Sequence, residues 1–249
     1  MNPNLRDSNK AVQGGTPVRR LSDNERMEYA EQGYVAPIRV ITSSAVATYR
    51  DRVEEFIDSC GDPESRAAML RTKVHLRCSA LLELVHHPAI VEPMSDLLGP
   101  DLLCRSSSIF LKEPGDPAFV AWHQDAAFFD LDPPDVATAW VALADSTAEN
   151  GALEILPASH RAPLLEHAMV GDPSNMLSRG QAITALIDED QVVMLTLAAG
   201  EMSIHDVRLA HRSAPNRSSG RRLGFAIRYV AAHVRKLGPR RDSAILVAS

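Results

Sequence analysis

The chain has 249 residues, 26 Lys plus Arg against 32 Asp plus Glu, a formal net charge of -6 and 45% apolar residues. That length fits one or two domains, and an apolar share close to the roughly 45–50% of globular proteins excludes disordered, collagen-like and coiled-coil compositions. The mild acidity leaves no electrostatic footprint for nucleic acid or an anionic membrane. No apolar run approaches the roughly 20 residues needed to cross a bilayer. The opening MNPNLRDSNKAVQGG has no apolar signal-peptide core. Cys60, Cys78 and Cys104 are odd in number and lack CxxC spacing, which fits reduced thiols. A cytoplasmic protein is expected, with neither a membrane nor a nucleic-acid partner.

In chain order, residues 1–20 are polar, carry Gly14-Gly15 and Pro17, and read as a flexible tail. Ser22 followed by Glu25 fits a capping box that opens a short helix, expected to end before Gly33. Residues 34–41 read as a strand that Pro37 confines to a sheet edge. In 44–59, Val46, Tyr49, Val53, Phe56 and Ile57 fall on one helical stripe, and Gly61-Asp62-Pro63 breaks it. Further helices are expected at 79–86 and at 88–98, the latter starting on Pro88 and stopping at Gly99-Pro100.

Beyond residue 101 the character changes. Short β-like runs at 102–112, 119–123, 136–144, 152–156, 192–197, 202–205 and 222–232 alternate with turn clusters such as Glu149-Asn150-Gly151. Such punctuation argues for a sandwich, barrel or jelly roll. The expectation is a mainly β fold with α, a helical part (21–100) braced against a β core (101–235), with 21–249 forming one domain.

The sharpest chemical signal is Trp122-His123-Gln124-Asp125 at the end of a β-like run. In extended backbone His123 and Asp125 point the same way, so an imidazole and a carboxylate can take adjacent positions around one metal. Alone, HxD is weak. A second cluster downstream strengthens it: His211-Arg212-Ser213-Ala214-Pro215-Asn216-Arg217-Ser218, then Arg222. Two histidines and one carboxylate on one face, with other positions open, form the facial triad of non-haem Fe(II) oxygenases. Arg222 begins RLGFAIRYV, where period 2 puts Gly224, Ala226 and Arg228 on its face. Small residues between two arginines look like the wall of an anion-binding cavity.

The motifs WHQD (122–125), TAWVAL…ENGALEILPASH (138–160) and HxSxPNxS followed by RRLGFAIRY resemble the phytanoyl-CoA dioxygenase family of Fe(II)/2-oxoglutarate oxygenases, over about residues 25–235. The resemblance implies a double-stranded β-helix (jelly roll) core with N-terminal helices packed on one sheet. It implies Fe(II) held by His123, Asp125 and His211, and 2-oxoglutarate whose far carboxylate is gripped by Arg222 with help from Ser213. His205, in GEMSIHD, is the rival distal ligand; only His211 has an arginine eleven residues on. His160 suits a turn, and His86 and His87 a helix start at the surface. Lys73 and His75 in TKVHL, and Asn175 and Arg179 in SNMLSRGQ, resemble substrate segments of members acting on small charged amines and phosphonates. Ser108, Lys112, Thr138 and Trp140 flank the metal segment in an open register.

Arg228 stands six residues beyond Arg222, roughly 20 Å along a strand at about 3.3 Å per residue. It therefore either pairs with a structural carboxylate or serves a second anionic group near the mouth, over which the 175–181 loop can close. The activity implied is hydroxylation, or another oxidation, of a C–H bond in a small anionic or zwitterionic metabolite, with O2 consumed and succinate and CO2 released. Asp125 argues against halogenation, because family halogenases carry a small residue there. The alternatives are a cupin-like metalloprotein with non-oxidative chemistry and a non-catalytic ligand-binding member.

Overall fold

A computed structural model describes residues 18–177, 180–239 and 242–249. Most of the expected tail, residues 1–17, and Arg179 lie outside the described residues. Residues 19–21 are tied down, with Arg19 paired to Glu25 and Arg20 to Glu92 and Asp96.

α1 (Asp23–Gln32) starts on the Ser22–Glu25 capping box, both halves of which form. Gly33 ends it at φ 85°, a left-handed conformation that glycine adopts without a Cβ penalty. α2 (Ser43–Ser59) is capped by Thr42 and buries Val46, Tyr49, Val53 and Ile57 from the expected stripe. α3 (Pro63–Arg71) was not anticipated. Asp62 accepts hydrogen bonds from the Glu64 and Ser65 amides and Pro63 occupies the first turn, so the breaker after α2 also starts the next helix. Leu70 is its one buried residue, which leaves no stripe for periodicity to detect. α4 (Ser79–Val85) and α5 (Pro88–Leu98) lie where the sequence places them.

The strands in chain order are β1 (Tyr34–Arg39), β2 (Leu102–Lys112), β3 (Val120–His123), β4 (Leu131–Asp132), β5 (Val136–Ala142), β6 (Leu153–Ile155) and β7 (His167–Met169). β8 (Gln181–Ile183), β9 (Val193–Leu195), β10 (Glu201–Asp206), β11 (His211–Ser213), β12 (Arg222–Ala231), β13 (Arg235–Lys236) and β14 (Ile245–Ala248) follow. Helices and a larger share of strands make this a mainly β fold with α, as expected. A six-stranded sheet runs β1-β10-β5-β12-β2-β14 and a four-stranded sheet β3-β11-β6-β9; β13-β4 and β7-β8 are small pairs. β1 takes the edge that Pro37 demands. β14 extends the large sheet past residue 235, where the core was expected to stop.

Alternation along β12 divides the molecule. Leu223, Phe225, Ile227 and Tyr229 join one apolar core with Val53 and Ile57 of α2, Leu81 and Leu84 of α4, and Ile90 and Met94 of α5. Each such burial contributes about 1.5–3 kcal/mol. The helices thus cover one face of the six-stranded sheet. Its other face carries Arg222, Ala226 and Arg228, which line an internal pocket together with residues of the four-stranded sheet.

Candidate active site

Short, paired strands bring the candidate ligands together. His123, the last residue of β3, stands directly opposite His211, the first of β11, in an antiparallel register. Their rings approach to 4.0 Å between centroids. β3 ends at His123, but Gln124 keeps an extended backbone (φ -120°, ψ 123°), so Asp125 returns to the same side before a short 3-10 helix begins. Ligand atoms of His123, Asp125 and His211 all lie within 4.8 Å of one another, and all three residues are buried.

Hydrogen bonding fixes how these groups present themselves. Each imidazole directs Nδ1 at a carbonyl two residues back, His123 to Ala121 and His211 to Leu209, both at 2.9 Å. Those bonds place the ring proton on Nδ1 and leave Nε2 as a lone-pair donor, the usual outer support of a metal-bound histidine. Burial, then His123 and His205, hold His211 well below the ordinary imidazole range, so it stays neutral. Burial alone would raise the Asp125 carboxyl. Arg228, followed by the neighbouring histidines, outweighs it and keeps Asp125 well below the usual carboxylate range. Arg228 Nε lies 3.6 Å from Asp125 Oδ2, and Thr138 donates to the same oxygen at 3.4 Å. Oδ1 is left toward His123 Nε2, 3.7 Å away.

Arg222 is 1% exposed, and its Nε and one terminal nitrogen have no hydrogen-bond partner among the described residues. Its guanidinium lies 4.6 Å from the centroid of the Trp140 ring. Burial lowers its pKa to about 9, which leaves it charged at neutral pH. Gly224, next on this face, is obligatory: a Cβ there would overlap the Trp140 ring. The pocket holding Arg222 and the His–Asp–His cluster is narrow, about 30 Å³, and is otherwise walled by groups such as Val120, Trp140 and Leu153.

Other expected residues fall as follows. Ser213 lines this pocket, but its hydroxyl donates to the Gly151 carbonyl at 2.9 Å and accepts from buried Lys112 at 2.6 Å. Burial, then Arg222, lowers Lys112 to about 7. His205 lines the pocket as well, its ring 4.7 Å from that of His211, with both nitrogens unpartnered among the described residues. Burial holds it neutral, with a pKa of about 4. It stands beside the cluster, outside the group of three. His160 sits in a turn with Nε2 on the Ala30 carbonyl.

Lys73 donates to Asp242 and Ser243 at the edge of a second, larger cavity of about 420 Å³. His75 is buried against Ser107 at 2.6 Å and lines neither cavity. Asn175 is buried and accepts from the amide of Leu177, its neighbour in the loop. Arg228 borders both cavities and, besides facing Asp125, donates to Ser108 at 2.9 Å. Ser108 in turn donates to the Arg71 carbonyl at the end of α3. The larger cavity's other walls, including Arg66, Arg105, Phe128 and Phe129, were not singled out from sequence. The Asp62-Pro63 cap was the available signal for the helix that carries Arg66.

Comparison with known proteins gives the same direction. The family described as phytanoyl-CoA dioxygenase (PhyH) matches residues 29–224. A Stutzerimonas stutzeri protein named "probable alpha-ketoglutarate-dependent hypophosphite dioxygenase" is 30% identical over 84% of this chain and 78% of its own length. The solved structure of the apo non-heme monooxygenase ThoJ superposes with a TM-score of 0.80 at 33% identity, covering 90% of this chain and 83% of that one. CytC3, solved with Fe(II) and alpha-ketoglutarate, gives 0.66 at 25% identity, over 87% and 80%. With its HxD segment, distal histidine and downstream arginine all inside or beside the matched span, the chain belongs to the phytanoyl-CoA dioxygenase family.

Proposed function

We propose that this chain is an Fe(II)- and 2-oxoglutarate-dependent dioxygenase that hydroxylates a C–H bond of a small anionic or zwitterionic metabolite. The two large sheets would be the faces of a jelly roll, and residues 21–249 one catalytic domain. The observation that carries the reading is Arg222, a buried guanidinium without a carboxylate partner among the described residues, in the same pocket as His123, Asp125 and His211. A buried charge without a partner is expensive, so a site of this kind is built for an anion that arrives later. A non-oxidative cupin-like metal site has no use for that cation.

The donor set fits a divalent iron: two imidazoles and one carboxylate, with the remaining positions open. When bound, Fe(II) with 2-oxoglutarate and O2 supplies the oxidation, R–H + 2-oxoglutarate + O2 giving R–OH + succinate + CO2. The chain does the positioning. His123 and His211 present Nε2, and Asp125 presents Oδ1 while Arg228 and Thr138 restrain Oδ2. Arg222, backed by Trp140, would pair with the remote carboxylate of 2-oxoglutarate through its planar fork. Asp125 in the metal segment favours hydroxylation over halogenation. The relative named for hypophosphite, itself an oxyanion, supports an anionic substrate.

The test is calorimetric titration of 2-oxoglutarate, without oxygen, into metal-free and Fe(II)-loaded protein. Binding should require the metal and weaken at least about tenfold in Arg222→Ala. Equal binding with and without metal, or in both proteins, would refute the reading.

A further inference from the structure

The larger cavity carries information about the substrate that the iron site does not. At about 420 Å³ it falls in the roughly 300–1,000 Å³ range of small-molecule pockets, far more than a triatomic or tetrahedral inorganic ion needs. It shares Phe110, Asp125 and Arg228 with the narrow pocket, so whatever fills it abuts the metal ligands. Its walls are largely apolar, with Leu70, Ile109, Phe128, Phe129 and Met176 among them.

Its charges are unbalanced. Among the described residues, five basic side chains line the cavity against two carboxylates, Asp125 and Asp242. Asp125 faces Arg228, and Asp242 is shared by Lys73 at 3.0 Å and Arg105 at 2.8 Å. Arg105 owes its place to a bulge: β12 passes from Ser106 opposite Arg228 to Cys104 opposite Tyr229, so Arg105 is the extra residue. Bulges re-aim side chains, and here two consecutive residues, Arg105 and Ser106, both reach the cavity. That leaves half-buried Arg66, and Arg71 exposed at the C-terminal end of α3, without a carboxylate partner among the described residues. Arg66 Nε is also buried without a hydrogen-bond partner among them.

Resting on the dioxygenase reading, we infer that the substrate is an organic anion with an extended apolar body, its anionic group held by Arg66 and Arg71 and its apolar end directed at Asp125. The carbon oxidised is then remote from the anionic group. Wide apolar walls select the body, and the unpartnered Arg66 guanidinium, with the exposed Arg71 beside it at the α3 end, selects a carboxylate or a phosphate over an amine or a neutral amide.

The experiment uses the full chain loaded with Mn(II) and 2-oxoglutarate, which occupies the iron site without turnover. Calorimetry compares ω-phenylalkanoates from phenylacetate to 6-phenylhexanoate with the corresponding amides and amines. At least one carboxylate should bind roughly ten- to a hundred-fold more tightly than its amide. Arg66→Ala should remove most of that preference with little change for the amide, and Arg66→Glu should reverse it toward the amine. A carboxylate bound directly to the metal would be indifferent to residue 66. No preference anywhere in the series, or one that survives in both variants, overturns the inference. Loss of 2-oxoglutarate binding with the Arg66-dependent preference intact would instead count against the dioxygenase reading alone.

Discussion

Arg222 and Arg228 share one strand and one face, yet their surroundings are opposite. Arg228, partly accessible, faces a carboxylate and a serine hydroxyl, and its charge is spent on keeping Asp125 ionised. Arg222, fully enclosed, leans on an indole ring and faces no anion among the described residues. The first arrangement stabilises what is already present. The second leaves a buried cation that, on the proposed reading, 2-oxoglutarate would complete. The difference comes from what the neighbouring strands set opposite each arginine, since the residue type and strand position are alike.

The largest effect should come from removing the group that Arg228 serves. Asp125→Ala is expected to abolish both Fe(II) retention, read by metal analysis after desalting, and all succinate formation. Next is the unmatched end of the strand. Arg222→Ala should raise the KM for 2-oxoglutarate about thirty- to five-thousand-fold, the equivalent of losing a buried charge pair worth about 2–5 kcal/mol. Arg222→Lys should recover only part, because an ammonium lacks the planar fork. An unchanged KM in both would erase the contrast between the two ends.

Arg228→Met breaks the matched end. It leaves Asp125 buried without its main cation, and a loss of about 3 kcal/mol is expected, seen as a melting temperature lower by several degrees. The sign of the accompanying pH effect follows from Asp125. Its carboxyl is depressed in the folded protein, so its contribution is present above the ordinary carboxylate range and lost as pH falls through the folded value. Without Arg228 that loss moves to higher pH, and Fe(II) should dissociate more readily at mildly acid pH than from the parent protein. Gly224→Ala, between the two ends, forces a methyl against Trp140. It should destabilise by about 1–3 kcal/mol and raise the 2-oxoglutarate KM by displacing the ring beneath Arg222.

The smallest effect expected lies off the strand, at His75, as a reference for ordinary burial. Burial, then Lys73, lowers its pKa to about 4. The unfolded chain therefore binds a proton there between roughly pH 6.5 and 4 that the folded protein does not, and stability falls as pH drops through that window. His75→Gln should flatten this part of the melting-temperature profile.

Much of the site was legible because its elements are local. HxD needs only three residues of extended backbone, and period 2 along 222–231 assigns one face to the core and one to the pocket. The capping box at Ser22 and the stripe of α2 are equally local. Pairing is not. Nothing near Arg228 in the chain shows that Asp125, Thr138 and Ser108 converge on it, because that depends on β12 lying between β2 and β5 in a particular register. The same holds for Ser213, whose hydroxyl is claimed by Lys112 and Gly151 from distant segments. Arg105 reaches the cavity only through a bulge, and β11, three residues long, is too short for alternation to reveal.

The most direct measurement is succinate released from 2-oxoglutarate under air by the Fe(II)-supplemented protein, across a range of 2-oxoglutarate concentrations, for the parent chain, Arg222→Ala and Asp125→Ala. An Fe(II)/2-oxoglutarate dioxygenase built on these residues should give succinate from the parent, succinate only at much higher 2-oxoglutarate from Arg222→Ala, and none at any concentration from Asp125→Ala. Equal succinate from all three proteins, or none from the parent under conditions where it retains iron, would contradict the assignment.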